Sequence, residues 1–131
     1  VADIKREGTD ATVVAVAGAV PLALKAAEEL SEDGFSIEVV DPRTLVPLDR
    51  DTIINSVSKT GRVVVVDPAH QSCSAASEIS AIIAEEAFES LKAPILRVTT
   101  PDTHLPFFPN GEKALLPSKD RIVSALKRLL N

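Results

Sequence analysis

Four consecutive valines, Val63 to Val66, run directly into Asp67 and Pro68. A strand with one wet face alternates apolar and polar side chains, whereas a strand covered on both faces reads as an unbroken β-branched run. The stretch "RVVVVD" (Arg62 to Asp67) must therefore lie inside a sheet sandwiched between other elements. The phrase recurs. "VVDPRT" at Val39 to Thr44 and "VVDPAH" at Val65 to His70 stand 26 residues apart, and a rearranged "VTTPDTH" follows at Val98 to His104.

Three further segments share this character and complete a set of four predicted strands: "ATVVAVAG" (Ala11 to Gly18), "FSIEVVD" (Phe35 to Asp41) and "PILRVTT" (Pro94 to Thr100). Each is short, rich in Val, Ile or Thr, and bounded by Gly or Pro. The intervening segments have helical periodicity. "AVPLALKAAEELSEDG" sets Leu22, Ala26 and Leu30 on one face and stops at Gly34, and "SEISAIIAEEAFESLKA" is read with Ile79, Ile82, Ile83, Phe88 and Leu91 in one apolar stripe. In "PLDRDTIINSVSKTG", Asp49 is the predicted N-cap, Leu48 and Ile53 the hydrophobic staple, Gly61 the stop, and Ile53, Ile54 and Val57 the core face. "SKDRIVSALKRLLN" repeats the logic, with Ser118 as cap and Ile122, Leu126 and Leu129 inward.

Strands alternating with helices predict an α/β fold: a three-layer, open, mostly parallel sheet with helices on both faces. In that architecture the strand-to-helix loops share the carboxyl edge, where Asp41, Asp67 and Asp102 would gather beside their prolines. The chain of 131 residues fits one domain over 1–131, able to bury roughly two thirds of the surface its unfolded form exposes. It begins "VADIKREGTD", without Met and without an apolar signal region, and is read as a fragment or processed product of a longer chain.

Composition narrows the function. A net charge of -5 argues against nucleic acid or an anionic membrane as the main partner, and no apolar run approaches the ~18 residues of a membrane span. The one modest basic cluster, Lys119, Arg121, Lys127 and Arg128, reads as a solubilising surface and a complement to a helix C-terminus. One Cys and two His exclude an internal disulfide and a four-ligand Cys/His zinc cage, and point to a reducing compartment. The five glycines never cluster, so neither a dinucleotide fingerprint nor a P-loop is present.

Two other chemistries stay open at this level. Asp67, His70, Ser72, Cys73 and Ser74 crowd one loop, so a hydrolase using Asp67, His70 and Ser72 or Cys73 is conceivable, though no Gly-x-Ser-x-Gly elbow surrounds these serines. The plainer reading makes Ser72 or Ser74 a helix cap and leaves His70 at a surface or interface. Alternatively, helix N-termini after the "DP" loops could hold a small anion, making the chain a stand-alone anion-binding module. The loop "PDTHLPFFPNGEKALLPS" carries four prolines and two adjacent aromatics. Phe107 and Phe108 either enter this domain's core or anchor another chain, the second being the reading adopted for at least one of them.

Taken together, "IKREGTDATVVAVAG", "IEVVDPRTLVPLDRDTIINSVSKTGRVVVVD", "EISAIIAEEAFESLKAPILRVTTPDTHLPFFP" and "LPSKDRIVSALKRLL" span almost the whole chain. They resemble the C-terminal, transketolase C-terminal-like domain of the beta subunit of thiamine-diphosphate-dependent 2-oxoacid dehydrogenases, the decarboxylating component for pyruvate, branched-chain 2-oxoacids or acetoin. The resemblance implies a parent enzyme that decarboxylates a 2-oxoacid on thiamine diphosphate and Mg²⁺ and passes the acyl group to lipoamide. It places that cofactor between the alpha subunit and the N-terminal domain of beta, so no catalytic, cofactor or metal residue is assigned here. The partners it implies are the alpha subunit, a second beta subunit in a heterotetramer, and the small subunit-binding domain of the acyltransferase. The location it implies is the cytoplasm, or the mitochondrial matrix in a eukaryote. Relatives usually carry a Gly-rich stretch where this chain reads "HQSCSAASE", a departure at His70 to Glu78. The candidate interface positions are His70, Cys73, His104, Phe107 and Phe108.

Overall fold

The computed structural model describes residues 1–70, 75–100 and 116–131, with 69 and 70 described in their backbone alone. Its elements are β1 (Asp3–Arg6), β2 (Ala11–Ala15), α1 (Ala19–Glu32), β3 (Ile37–Asp41), α2 (Arg50–Thr60), β4 (Val63–His70), α3 (Ala75–Glu86), a 3₁₀ turn (Phe88–Ser90), β5 (Leu96–Thr100) and α4 (Lys119–Leu130). The five strands form one sheet in the order β1-β3-β2-β4-β5. Pairs β2/β3, β2/β4 and β4/β5 are parallel, and β1 runs antiparallel to β3.

The unbroken valine run does what two-sided burial requires. Val64 and Val66 point to one face, with Val13, Val39, Leu30, Ile122 and Leu126, while Val63 and Val65 point to the other, with Val14, Val40, Ile53, Ile79 and Ile83. Helices α1 and α4 cover the first face, α2 and α3 the second, giving the expected three layers. On α1 the inward residues are chiefly Ala19, Ala23, Ala26, Ala27 and Leu30, small side chains that let the helix lie close to the sheet, while Leu22 is only partly buried.

The caps behave as local chemistry predicts. Asp49 accepts the Thr52 N–H at 3.2 Å and Leu48 packs in the same cluster as Ile53. Asp49 also takes the Ala2 N–H at 3.0 Å, so the start of the chain is tied to α2. Ser118 accepts the Arg121 N–H at 3.2 Å. At the end of α1, Gly34 adopts φ +88, its N–H reaches Ser31 O at 3.1 Å and the Phe35 N–H reaches Leu30 O at 3.0 Å. That pair is a Schellman closure, for which a left-handed residue is needed.

Three expectations are corrected. The sheet has five described strands rather than four: "DIKR" carries only one apolar residue and escapes a periodicity search, yet it zips onto β3 as an antiparallel edge. Strand β4 continues past Asp67 to His70, placing Asp67 inside the strand, buried at 5% exposure, rather than in a loop. The third helix ends at Glu86, and Phe88 is 72% exposed instead of sharing the apolar stripe. Position 88 lies nine residues after Ile79, which on a helix of about 100° per residue is the opposite side.

Candidate functional site

The chain moves from β2 to β3 on one side of the sheet and then crosses to β4 on the other, so the topological switch point lies between the carboxyl ends of β2 and β4. Open α/β sheets place ligands and partners at such edges. Beside it, Val16, Ala17, Asp41, Pro42, Arg43 and Leu45 line a crevice of about 340 Å³. Ala17 and Arg43 both take left-handed backbone angles, φ 51 and φ 65. The Arg43 N–H is held by Asp41 Oδ1 at 2.9 Å, the Thr44 hydroxyl donates to Pro47 O at 3.0 Å, and the Val46–Pro47 peptide is cis. This braced loop presents Val46 at 91% and Leu45 at 45% exposure.

A second presentation is built where α3 ends. The Ala87 N–H completes the helix on Ile83 O at 2.8 Å, and Ser90 and Leu91 then fold back onto Ala87 O and Phe88 O at 2.9 and 3.2 Å. The reversal turns Ala87 and Leu91 toward the core and Phe88 outward. Glu85, Glu86 and Glu89 line the same depression as Phe88, of about 320 Å³, and give it an acidic collar. Glu86 meets Arg50 at 3.4 Å, both half in water, so the pair does little to neutralise the rim. An exposed aromatic ring beside acidic side chains suits a partner that offers an apolar pocket edged with basic groups.

The strongest buried polar cluster sits toward the opposite edge of the sheet. Glu38, in β3, is 2% exposed. Its Oε1 accepts the Gly8 N–H at 3.1 Å and the Lys59 ammonium, and its Oε2 accepts the Ser56 hydroxyl at 2.5 Å. Thr12 shares hydrogen bonds with Ser56 Oγ at 2.9 Å and Thr60 Oγ1 at 2.8 Å. Burial pushes the Glu38 carboxyl up, but Lys59, Ser56 and Gly8 outweigh it and hold the group below the usual carboxylate range. With both oxygens engaged, the cluster is a strut joining the β1–β2 connection, β3 and α2.

The residues singled out from sequence are placed as follows. Cys73, His104, Phe107 and Phe108 lie outside the described residues, as do Ser72, Ser74 and Asp102. His70 pairs through its backbone with Thr100, and its side chain is likewise outside the description. Asp41 does end β3 at the carboxyl edge. Phe88 and its collar were missed, although the nine-residue offset from Ile79 was a readable signal; Val46 carried none, since its exposure comes from the folded turn. Among the described residues no group of three His, Cys, Asp or Glu side chains is gathered to hold a metal. Among them, too, no helix is long and apolar enough to cross a membrane.

Comparison with known proteins gives this architecture a family. The chain is 50% identical over 129 residues to the acetoin:2,6-dichlorophenolindophenol oxidoreductase subunit beta of Bacillus subtilis, covering 98% of this chain and 38% of that protein. It is 51% identical over 128 residues to the pyruvate dehydrogenase E1 component subunit beta of Leifsonia xyli, covering 97% and 37% respectively. The chain thus spans a little over a third of the length of these relatives. Among solved structures, a split-gene transketolase described as an inactive beta4 tetramer superimposes with a TM-score of 0.80 at 26% identity, covering 98% of this chain and 41% of that one. The family model of the transketolase C-terminal domain matches residues 1–122, and the chain belongs to that family.

Proposed function

We propose that this chain is one domain, over 1–131, of the beta subunit of a thiamine-diphosphate-dependent 2-oxoacid dehydrogenase, and that its task in the cytoplasm is assembly. The parent enzyme oxidatively decarboxylates a 2-oxoacid such as pyruvate and passes the acyl group to lipoamide, using thiamine diphosphate and Mg²⁺ bound outside this domain. The domain contributes contacts to the alpha subunit, to a second beta subunit and to the acyltransferase's small subunit-binding domain. The relatives named above support the parent enzyme. The observation that carries the docking role is Phe88, 72% exposed and collared by Glu85, Glu86 and Glu89. His70, Cys73, His104, Phe107 and Phe108 are proposed as further interface positions.

Calorimetry of the chain with the acyltransferase subunit-binding domain tests the docking role. Because its ring is in water, Phe88→Ala should weaken binding at least tenfold, about 1.4 kcal/mol, with the melting temperature unchanged. Wild-type docking that survives Phe88→Ala undiminished, or no docking by the wild type at micromolar concentration, sinks the assignment. A separate expectation concerns the cofactor. Thiamine diphosphate with Mg²⁺ should leave the melting temperature of the 131-residue chain where it was, whereas a ligand at 100 times its dissociation constant adds about 2.7 kcal/mol. A clear upward shift would relocate part of the cofactor site into this domain.

A further inference from the structure

The turn that follows β3 is apolar at its tip, and the fold brings the start of the chain beside it. Strand β1 runs antiparallel to β3 with Asp3 opposite Asp41, so the chain enters the sheet at the carboxyl edge, where β3 ends. The Ala2 N–H is held by Asp49 Oδ2 at 3.0 Å, and Ala2, Ile4 and Leu48 pack against the same core cluster. Asp49 stands three residues along from Val46, which is 91% exposed. Val1, ahead of these contacts, is 90% exposed.

The tip is held in shape by its own backbone. Leu45 and Leu48 form an isolated antiparallel bridge, the Thr44 N–H reaches Pro42 O at 2.7 Å and the Arg50 N–H reaches Leu48 O at 3.0 Å. A braced apolar projection loses little conformational freedom on docking. The crevice at its foot does not suit an anion. The Ala19 and Val20 N–H groups that open α1 are turned to Val16 O and Ala17 O at 3.0 and 3.2 Å, Pro21 has no N–H, and Asp41 sets a negative charge beside Arg43. An apolar tip beside a crevice of mixed charge suits a protein surface.

We propose that the Leu45–Val46 tip and the crevice at its foot dock the part of the parent subunit that precedes this domain, forming an interface within one chain. The inference rests on the reading above, that the chain is one domain of a longer beta subunit; it spans 38% and 37% of the two beta-subunit relatives. Chain arriving at Val1 meets the sheet at the very edge that carries the tip, so a folded unit upstream is confined near it at high effective concentration. An alpha subunit or a second copy has no such tether and must reach the same face from solution.

The test is alkylation of Val46→Cys by N-ethylmaleimide, mapped to position 46 by peptide mass spectrometry, in the 131-residue chain and in the full-length beta subunit. Position 46 is open in the domain, so the shorter chain should react as fast as a free thiol. In the full-length subunit the rate should fall about tenfold or more, equivalent to about 1.4 kcal/mol, and stay low on dilution because contact within one chain is independent of concentration. The Leu45→Asp/Val46→Asp double variant should lower the melting temperature of the full-length subunit while leaving that of the shorter chain unchanged. Equal alkylation rates in the two proteins overturn the inference. So does protection lost on dilution, which gives the face to a second copy, or protection that appears only with the alpha subunit, which gives it to that partner. A native subunit of 13.9 kDa would instead remove the longer chain, and with it the reading on which the inference rests.

Discussion

Alanine at Gly8 is expected to cost the fold about 3 kcal/mol or more, at or above the upper end of ordinary overpacking. A Cβ built there would sit 2.3 Å from the carbonyl carbon of Ile37 and 2.4 Å from the nitrogen of Glu38. These are backbone atoms of β3 and cannot rotate aside as a side chain would. Relief requires the β1–β2 connection to lift away, which also draws the Gly8 N–H from the Glu38 carboxylate it meets at 3.1 Å. Urea denaturation of wild type and variant measures the difference through the midpoint. A loss under 1 kcal/mol would show that the two backbones can separate cheaply.

Replacing Lys59 by methionine should produce a loss of similar size with a distinctive pH dependence. The substitution keeps the apolar stem but removes the ammonium from a carboxylate that is 2% exposed. Stripping one partner from a buried pair costs about 3–5 kcal/mol, and the lower end applies because Lys59 is itself 47% exposed and Ser56 and Gly8 still donate. In the wild type the folded carboxyl titrates below its unfolded value. Its stabilising contribution is therefore present above about pH 4.3 and lost as pH falls through the folded value. In the variant burial dominates and the charged form becomes a burden, so the gap between the two proteins should close as Glu38 protonates. Urea unfolding from pH 7 down to pH 4 distinguishes the cases: a gap below 1 kcal/mol that is flat with pH would mean that water already solvates the carboxylate. Gly8 and Lys59 share Glu38, so the double variant should fall short of the sum.

The layers of this fold were legible because they rest on short-range patterns. "RVVVVD" demanded cover on both faces, and Asp49, Gly34 and Ser118 marked helix boundaries through chemistry confined to a few neighbours. The first strand was illegible because an antiparallel edge needs only backbone groups and one inward side chain, here Ile4. The role of Glu38 was illegible, since nothing within the strand "FSIEVVD" announces a carboxylate whose donors lie at positions 8, 56 and 59. Phe88 differs in kind: nine residues beyond Ile79, at about 100° per residue, an apolar side chain falls on the far side of a helix from the stripe.

The outward ring at position 88 also decides how this chain can be watched. The sequence holds no Trp and no Tyr, so the folded protein is dark wherever indole and phenol emit. An indole placed at 88 by Phe88→Trp would be the sole such fluorophore, standing in water on a short turn that is already closed by its own hydrogen bonds. Its emission would register the arrival of a neighbour on the acidic collar while remaining indifferent to the valine core behind it, separating recognition from folding in a single optical channel.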